Sequence, residues 1–235
     1  MLAKLFCFKL FIIIFILVLG WYYQLEAADK TLSYVYYEHG EPGDVTEKQQ
    51  IKIKELPDGS RQYYRISEAE KYKEQEEFIL GPDYETISFR VENDAEGTSY
   101  EGSLVDNKLH LKGKLEGEDI NKVIELDDKP FYHSPKFNLA GFILSDKEKV
   151  KFWTIRRDKL TKYLMRAEKD AEETLTINAK DIKAIKVYYT ATGIGSHFYK
   201  RYYYFRKDDG IFIKKVDPSG DAETAVLQET DYIMQ

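Results

Sequence analysis

The residues with the capacity for chemistry in this chain are four histidines, one cysteine and a large stock of carboxylates. His39, His110, His133 and His197 stand far apart in sequence, and no two share a metal-ligand spacing. The only cysteine is Cys7, which leaves a zinc site without a donor set. His110 is expected on the polar face of a strand, and His133 is expected to pack at a strand–helix junction. Gly193-Ile194-Gly195-Ser196 before His197 lacks the third glycine and the strand-to-helix setting of a dinucleotide loop, so it reads as a glycine turn. No G-x-S-x-G elbow and no S-x-x-K occurs. The expectation is therefore no catalytic residue, no metal site, no cofactor and no enzymatic activity.

The carboxylates do not change that reading. Asp83 with Glu85, Asp94 with Glu96, Glu116 to Asp119, and Asp127-Asp128 all fall at turns. A glycosidase needs two carboxylates facing across a cleft, and no such pair is identifiable here. Asn93-Asp94-Ala95-Glu96-Gly97 is too short for a calcium loop. These groups are expected to be solvated turn residues.

Aromatic content is the compositional excess, with 19 Tyr and 13 Phe. It peaks at His197 to Arg206, where both faces of one strand carry rings. Tyrosine is a good strand former, and it also suits an apolar pocket with a polar edge.

The elements that must position these residues read as β. Leu32, Tyr34 and Tyr36 alternate, as do Ile51 and Ile53, then Ile87, Phe89 and Val91. Leu109, Leu111 and Leu115 share one face against His110, Lys112 and Lys114. Further runs cover Val123–Leu126, Val150–Ile155, Leu175–Ile177, Ile182–Tyr189, His197–Arg206 and Ile211–Val216, the last two joined by Lys207-Asp208-Asp209-Gly210 as a hairpin. Lys159–Glu173 fits a strand hairpinned to Val150–Ile155, with a helix as the alternative. Ser67–Glu77 fits a helix opened by a capping box or a ragged strand. Ser134-Pro135 starts a short helix, Ser as N-cap, with Phe137, Ala140, Gly141 and Leu144 as its apolar stripe. The fold class is mainly β: a large curved antiparallel sheet, an open or half barrel of roughly 10–12 strands, with a plug helix near residues 135–144.

Residues 1–27 carry two lysines, an unbroken apolar run Leu10–Leu19 and a small-residue exit at Ala27-Ala28, the layout of a signal peptide. An uncleaved anchor over residues 5–23 is the alternative, with Trp21, Tyr22 and Tyr23 at the interface. Either way residues 29–235, a single β domain, are exported, to the periplasm or the outer face of the inner membrane. Membrane contact is expected only through residues 5–23, if they are retained. A formal net charge of −6 with no basic stripe argues against nucleic acid.

The order Pro130-Phe131-Tyr132-His133-Ser134-Pro135, a short helix to Leu144, Val150–Ile155, Ile182–Tyr189 and the closing Tyr202-Tyr203-Tyr204-Phe205 to Lys214 resembles a bacterial exported family known only as a domain of unknown function. That family is similar in fold to the lipoprotein-carrier half-barrels LolA and LolB. The resemblance covers about residues 31–216 and implies an incompletely closed sheet around a plug helix, Ser134–Leu144. It carries over no ligand residue. Two functions follow as expectations. One is a carrier of a lipid or acyl chain, lined by Ile87, Phe89, Val91, Leu109, Leu111, Phe137, Phe152 and Tyr202. The other is an envelope scaffold with a self-filled barrel and a protein or glycan partner.

Overall fold

The computed structural model describes residues 30–37, 44–177, 179–193, 199–216 and 224–232. The signal or anchor expected over residues 1–27, together with His39 and His197, lies outside the described residues. One antiparallel sheet dominates. Its first run of hairpins is β1 (Lys30–Tyr37), β2 (Val45–Glu55), β3 (Arg61–Ala69), β4 (Tyr72–Leu80), β5 (Thr86–Asn93), β6 (Thr98–Val105), β7 (Lys108–Leu115) and β8 (Glu118–Glu125). Its second run is β9 (Lys149–Arg156), β10 (Thr161–Ile177), β11 (Lys180–Ala191), β12 (Lys200–Arg206), β13 (Phe212–Val216) and β14 (Thr224–Tyr232). The strand order is β8-β7-β6-β5-β4-β3-β2-β1-β14-β13-β12-β11-β10-β9, so β1 beside β14 is the one junction between the two runs.

The edges β8 and β9 do not pair with each other, and the barrel stays unclosed. Two lysines tether the seam by donating to backbone carbonyls across it. Lys122 Nζ reaches Leu160 O at 2.8 Å, and Lys162 Nζ reaches Glu125 O at 2.6 Å.

Alternation explains most of the sheet. Leu109 and Leu111 point inward from β7 while His110 and Lys112 are exposed. The sheet has fourteen strands, against the ten to twelve expected from sequence. The strands not anticipated are β3, β6 and β14, while β4 overlaps the ragged strand that is one alternative for Ser67–Glu77. The inward positions of β3 and β4 include Arg65, Ser67 and Glu76, and those of β6 include Thr98 and Gly102, so their apolar alternation is broken. The helix alternative for Ser67–Glu77 is overturned, because β3 and β4 pair across a tight turn from Arg61↔Leu80 to Ala69↔Tyr72. The strand reading of Lys159–Glu173 is correct: it forms the larger part of β10, paired with β9.

The chain between the two runs turns into the interior. Phe131 bridges to Trp153 in a parallel contact, and Tyr132 N donates to Trp153 O at 2.8 Å. Helix α1 (Pro135–Ile143) follows. The expected helix is present, but two of its details differ. Ser134 makes no side-chain cap; Asn138 Oδ1 instead accepts from Ser134 N at 3.0 Å. The one-sided stripe is also absent. Phe137, Asn138, Leu139, Ala140, Phe142 and Ile143 are all buried, because the helix lies inside the barrel rather than against one face.

Two glycines make this packing possible. At Gly210, in the β12–β13 turn with φ +70°, a Cβ would lie 2.9 Å from the helix backbone at Ala140. At Gly102 in β6, a Cβ would lie 2.3 Å from the Phe89 ring, which covers this position.

Candidate functional site

The interior holds two distinct environments. The first is a cleft of about 320 Å³ between α1, the start of β1, the β2–β3 hairpin and the β12–β13 turn. Leu32, Ile53, Tyr63, Phe137, Ala140 and Leu144 supply its apolar lining. Its volume falls near the lower end of small-molecule sites, about 300–1,000 Å³. Leu144 is 49% exposed, an unusual position for a leucine that ends a buried helix.

The rim of this cleft is charged. Lys30 Nζ donates to Asp209 Oδ2 at 3.1 Å, and Asp209 also pairs with Arg206. Arg61 lies over the Tyr84 ring, 4.2 Å from its centroid, with Glu55 at 3.6 Å from its Nε. The Nη1 of Arg61 is buried and has no hydrogen-bond partner.

Of the residues expected to line a ligand site, only Phe137 borders this cleft. Phe89, Val91, Leu109, Leu111 and Phe152 point inward but are packed into the core. Ile87 does not face the interior. It is 46% exposed, because the β4–β5 pairing shifts register between Ile79 and Leu80 and Thr86 takes the inward place. Tyr202 is likewise on the outer face. It packs 5.8 Å from Tyr188 with Lys186 Nζ over its ring, while Tyr203 and Phe205 are the inward pair.

The second environment is a buried ion network that the sequence did not reveal. Glu76 on β4 has a side chain only 1% exposed. Arg65 Nη2 on β3 lies 2.7 Å from Glu76 Oε2, and Arg157 Nη2 lies 2.8 Å from Glu76 Oε1. Arg157 Nη2 also reaches Glu74 Oε2 at 2.5 Å, and Arg65 Nη2 reaches Glu74 Oε1 at 3.1 Å. His133, just ahead of α1, stacks on Phe89 at 3.8 Å and sets its Nε2 3.6 Å from Glu76 Oε1.

The electrostatics follow from burial and charge together. Burial opposes ionisation of Glu76, but Arg157 and Arg65 overcome it and hold the carboxyl well below the usual range. Burial also lowers the pKa of His133; Glu76 pulls it upward, while the two arginines push it further down, and the net shift is downward. His133 is therefore neutral at pH 7. Burial raises the Tyr100 hydroxyl, which keeps it protonated beside Arg157.

The expected solvated turn carboxylates are so only in part: Glu118 and Asp119 open β8, and burial raises the half-buried Glu85 carboxyl. Asp83 Oδ1 accepts from Glu85 N at 3.2 Å, and Asp94 and Glu96 sit in a one-turn 3-10 helix after β5. The ion-paired carboxylates Glu74 and Glu76 lie instead inside a strand, β4. The available signal was Arg65-Ile66-Ser67 facing Glu74-Gln75-Glu76 across a hairpin, with polar residues at every second position of two adjacent runs. Among the described residues, no three His, Cys, Asp or Glu side chains gather as a metal site. No helix among them is long and apolar enough to cross a membrane.

No known family's sequence pattern matches the chain, and no curated protein matches it by sequence. Solved structures do. A β-barrel-like protein of a domain of unknown function, DUF1849, from Brucella abortus superposes with a TM-score of 0.58 at 12% identity, covering 90% of this chain and 100% of its own. An exported protein with a YmcC-like fold from Bacteroides fragilis aligns over 86% of this chain and 95% of its own, at 9% identity and a TM-score of 0.32. An outer membrane lipoprotein-sorting protein domain from Vibrio parahaemolyticus aligns over 89% and 87%, at 10% identity and a TM-score of 0.29. In fold, this chain is similar to the Brucella β-barrel-like protein, a bacterial protein of unknown function.

Proposed function

We propose that this chain is an exported, non-enzymatic binding protein of the cell envelope that carries an amphipathic ligand with an acyl chain and an acidic head. The observation that supports this reading is the cleft beside α1. Its floor is apolar, and its rim carries the cations Lys30, Arg61 and Lys136 among the carboxylates Glu55, Asp208 and Asp209. An acyl chain gains about 0.8 kcal/mol per buried methylene, and a carboxylate or phosphate oxygen would pair with the Arg61 guanidinium. Leu144, half exposed at the edge, would gain cover from such a ligand.

Native mass spectrometry of protein purified from membranes tests the idea, together with displacement of a fluorescent fatty acid. Bound lipid is expected in the native protein. Leu144→Trp, which narrows the cleft, and Arg61→Met, which removes the head-group donor, are each expected to weaken fatty-acid binding tenfold or more. Unliganded mass and no displaceable probe would sink the carrier reading. That result would favour a scaffold with a protein or glycan partner, a reading supported by the rest of the lumen, which the protein fills with its own rings. Tyr132, Phe152, Tyr189, Tyr203 and Phe212 form one continuous chain of ring contacts there.

A further inference from the structure

The ion network has an asymmetry that a purely structural staple does not need. Arg65 and Glu76 belong to the wall and are buried. Arg157 does not belong to the wall. It arrives from the turn between β9 and β10, with 37% of its side chain still exposed, and inserts its guanidinium between Glu74 and Glu76. Of the two arginines, it is the one delivered by a turn rather than by a strand.

The fit of that guanidinium is incomplete. Both Glu76 oxygens lie within ion-pair distance of an arginine, yet neither accepts a hydrogen bond of good geometry. The Tyr100 hydroxyl, from a residue 2% exposed, faces Arg157 without a well-aligned hydrogen bond. His133 Nδ1 and Ser67 Oγ are also buried without partners. A wall with this many unmatched polar atoms around one inserted cation is organised for a cation that can bond more fully. The turn that delivers Arg157 is itself held in place from outside, by Lys122 on Leu160 O, and Leu160 adopts φ +46°, a backbone region L-residues seldom occupy.

We propose that Glu74, Glu76 and Tyr100 form a recognition site for an alkylguanidinium group, and that Arg157 occupies it as an internal stand-in. The site is separate from the cleft beside α1 and does not depend on the carrier reading. The group that displaces Arg157 is either a free small guanidinium or an arginine side chain of a protein partner. Arg157 meets both carboxylates through Nη2 alone, whereas a free guanidinium can offer each carboxylate its own N–H in one plane, which an ammonium cannot.

Chemical rescue tests this on the full chain. Arg157→Ala empties the site, and Arg157→Met does so while keeping the apolar stem, in case the first variant folds poorly. Thermal unfolding is followed in 10 mM ethylguanidinium chloride and in 10 mM sodium chloride. The variant is expected to gain about 3–5 °C from ethylguanidinium over sodium when the ligand stands at ten times its Kd. Wild type is expected to gain less than about 1 °C, because its own arginine holds the site, on the same scale. Adding Glu74→Gln to the variant should abolish the gain. A short arginine-containing peptide that binds the variant more tightly than ethylguanidinium identifies a protein partner as the source, and the reverse order identifies a small molecule. No gain in either Arg157 variant, or an equal gain from tetramethylammonium, overturns the proposal.

Discussion

Two walls of the same lumen solve the burial problem in opposite ways. The wall of β9 to β13 presents Phe152, Met165, Ala167, Val187, Tyr189, Tyr203, Phe205 and Phe212 to the interior. The wall of β3 to β6 presents Tyr63, Phe78, Phe89 and Val91, but interrupts them with Arg65, Ser67, Glu76 and Thr98. The first wall depends on area and packing, so it yields gradually as atoms are removed. The second depends on matched charge. Removing one partner there leaves another buried and uncompensated. The two modes of burial meet on β4, where Phe78 and Glu76 are neighbouring inward residues.

Adjacent inward positions of β4 offer the sharpest test. Phe78→Ala removes a ring that stacks on Tyr63 at 4.8 Å and touches Phe137 at 5.7 Å. It should cost about 3–5 kcal/mol in chemical denaturation. Glu76→Leu, two residues away, should cost about 3–5 kcal/mol despite adding apolar volume, because Arg65 is left buried beside it. The contrast lies in the repair. Replacing Arg65, Glu74, Glu76 and Arg157 together with apolar residues of matching volume should recover most of the loss, whereas no change of charge restores Phe78→Ala. If the quadruple variant is no more stable than Glu76→Leu, the distinction between apolar and charged burial fails.

The plug between the walls is the next point of attack. Asn138 is fully buried and donates to Tyr84 O at 2.6 Å and Thr86 Oγ1 at 3.0 Å, while accepting from Ser134 N. Asn138→Leu should lower stability by about 1–3 kcal/mol, measured by urea unfolding, through groups left unmatched rather than through lost volume.

The smallest effect is confined to the polar wall and depends on pH. His133 faces Glu76 of β4, Arg65 of β3 and Arg157 of the β9–β10 turn. Its folded pKa lies below the ordinary 6.5, so the unfolded chain binds the proton more readily. Stability should fall as pH drops through about 6.5 and level off below the folded value. Glu76, also lowered, adds a second loss as pH falls below about 4.5. His133→Phe keeps the stack on Phe89 and should flatten the melting temperature between about pH 7.5 and 5.5 while leaving the lower step. A slope unchanged in that variant would assign the upper step to another group.

Legibility in the sequence divides along the same line. The strands that carry Leu109 and Leu111, or Phe152, announced themselves because inward and outward residues differ in polarity. Helix α1 was legible from Ser134-Pro135, although the serine does not cap, since proline alone suits the first turn. The polar wall was hidden because Arg65 and Glu76, read singly, look like surface residues. Only the pairing Arg65↔Glu76 shows that each neutralises the other inside. Ile87 and Tyr202 failed for a local reason. A register shift moved the first, and a strand with rings on both faces gave no hint of which face is inward for the second.

The pairing of β1 with β14 sets the order in which this molecule can be finished. Lys30 lies opposite Tyr232, so the first described strand waits for the last. Every other junction of the sheet joins neighbours in the chain and can form as they are made. Until the C-terminal strand emerges, β1 holds an open edge able to recruit a strand from any other unfinished copy. A chain cut short before Thr224 keeps that edge for good. For such a product, aggregation rather than loss of ligand binding is the expected failure.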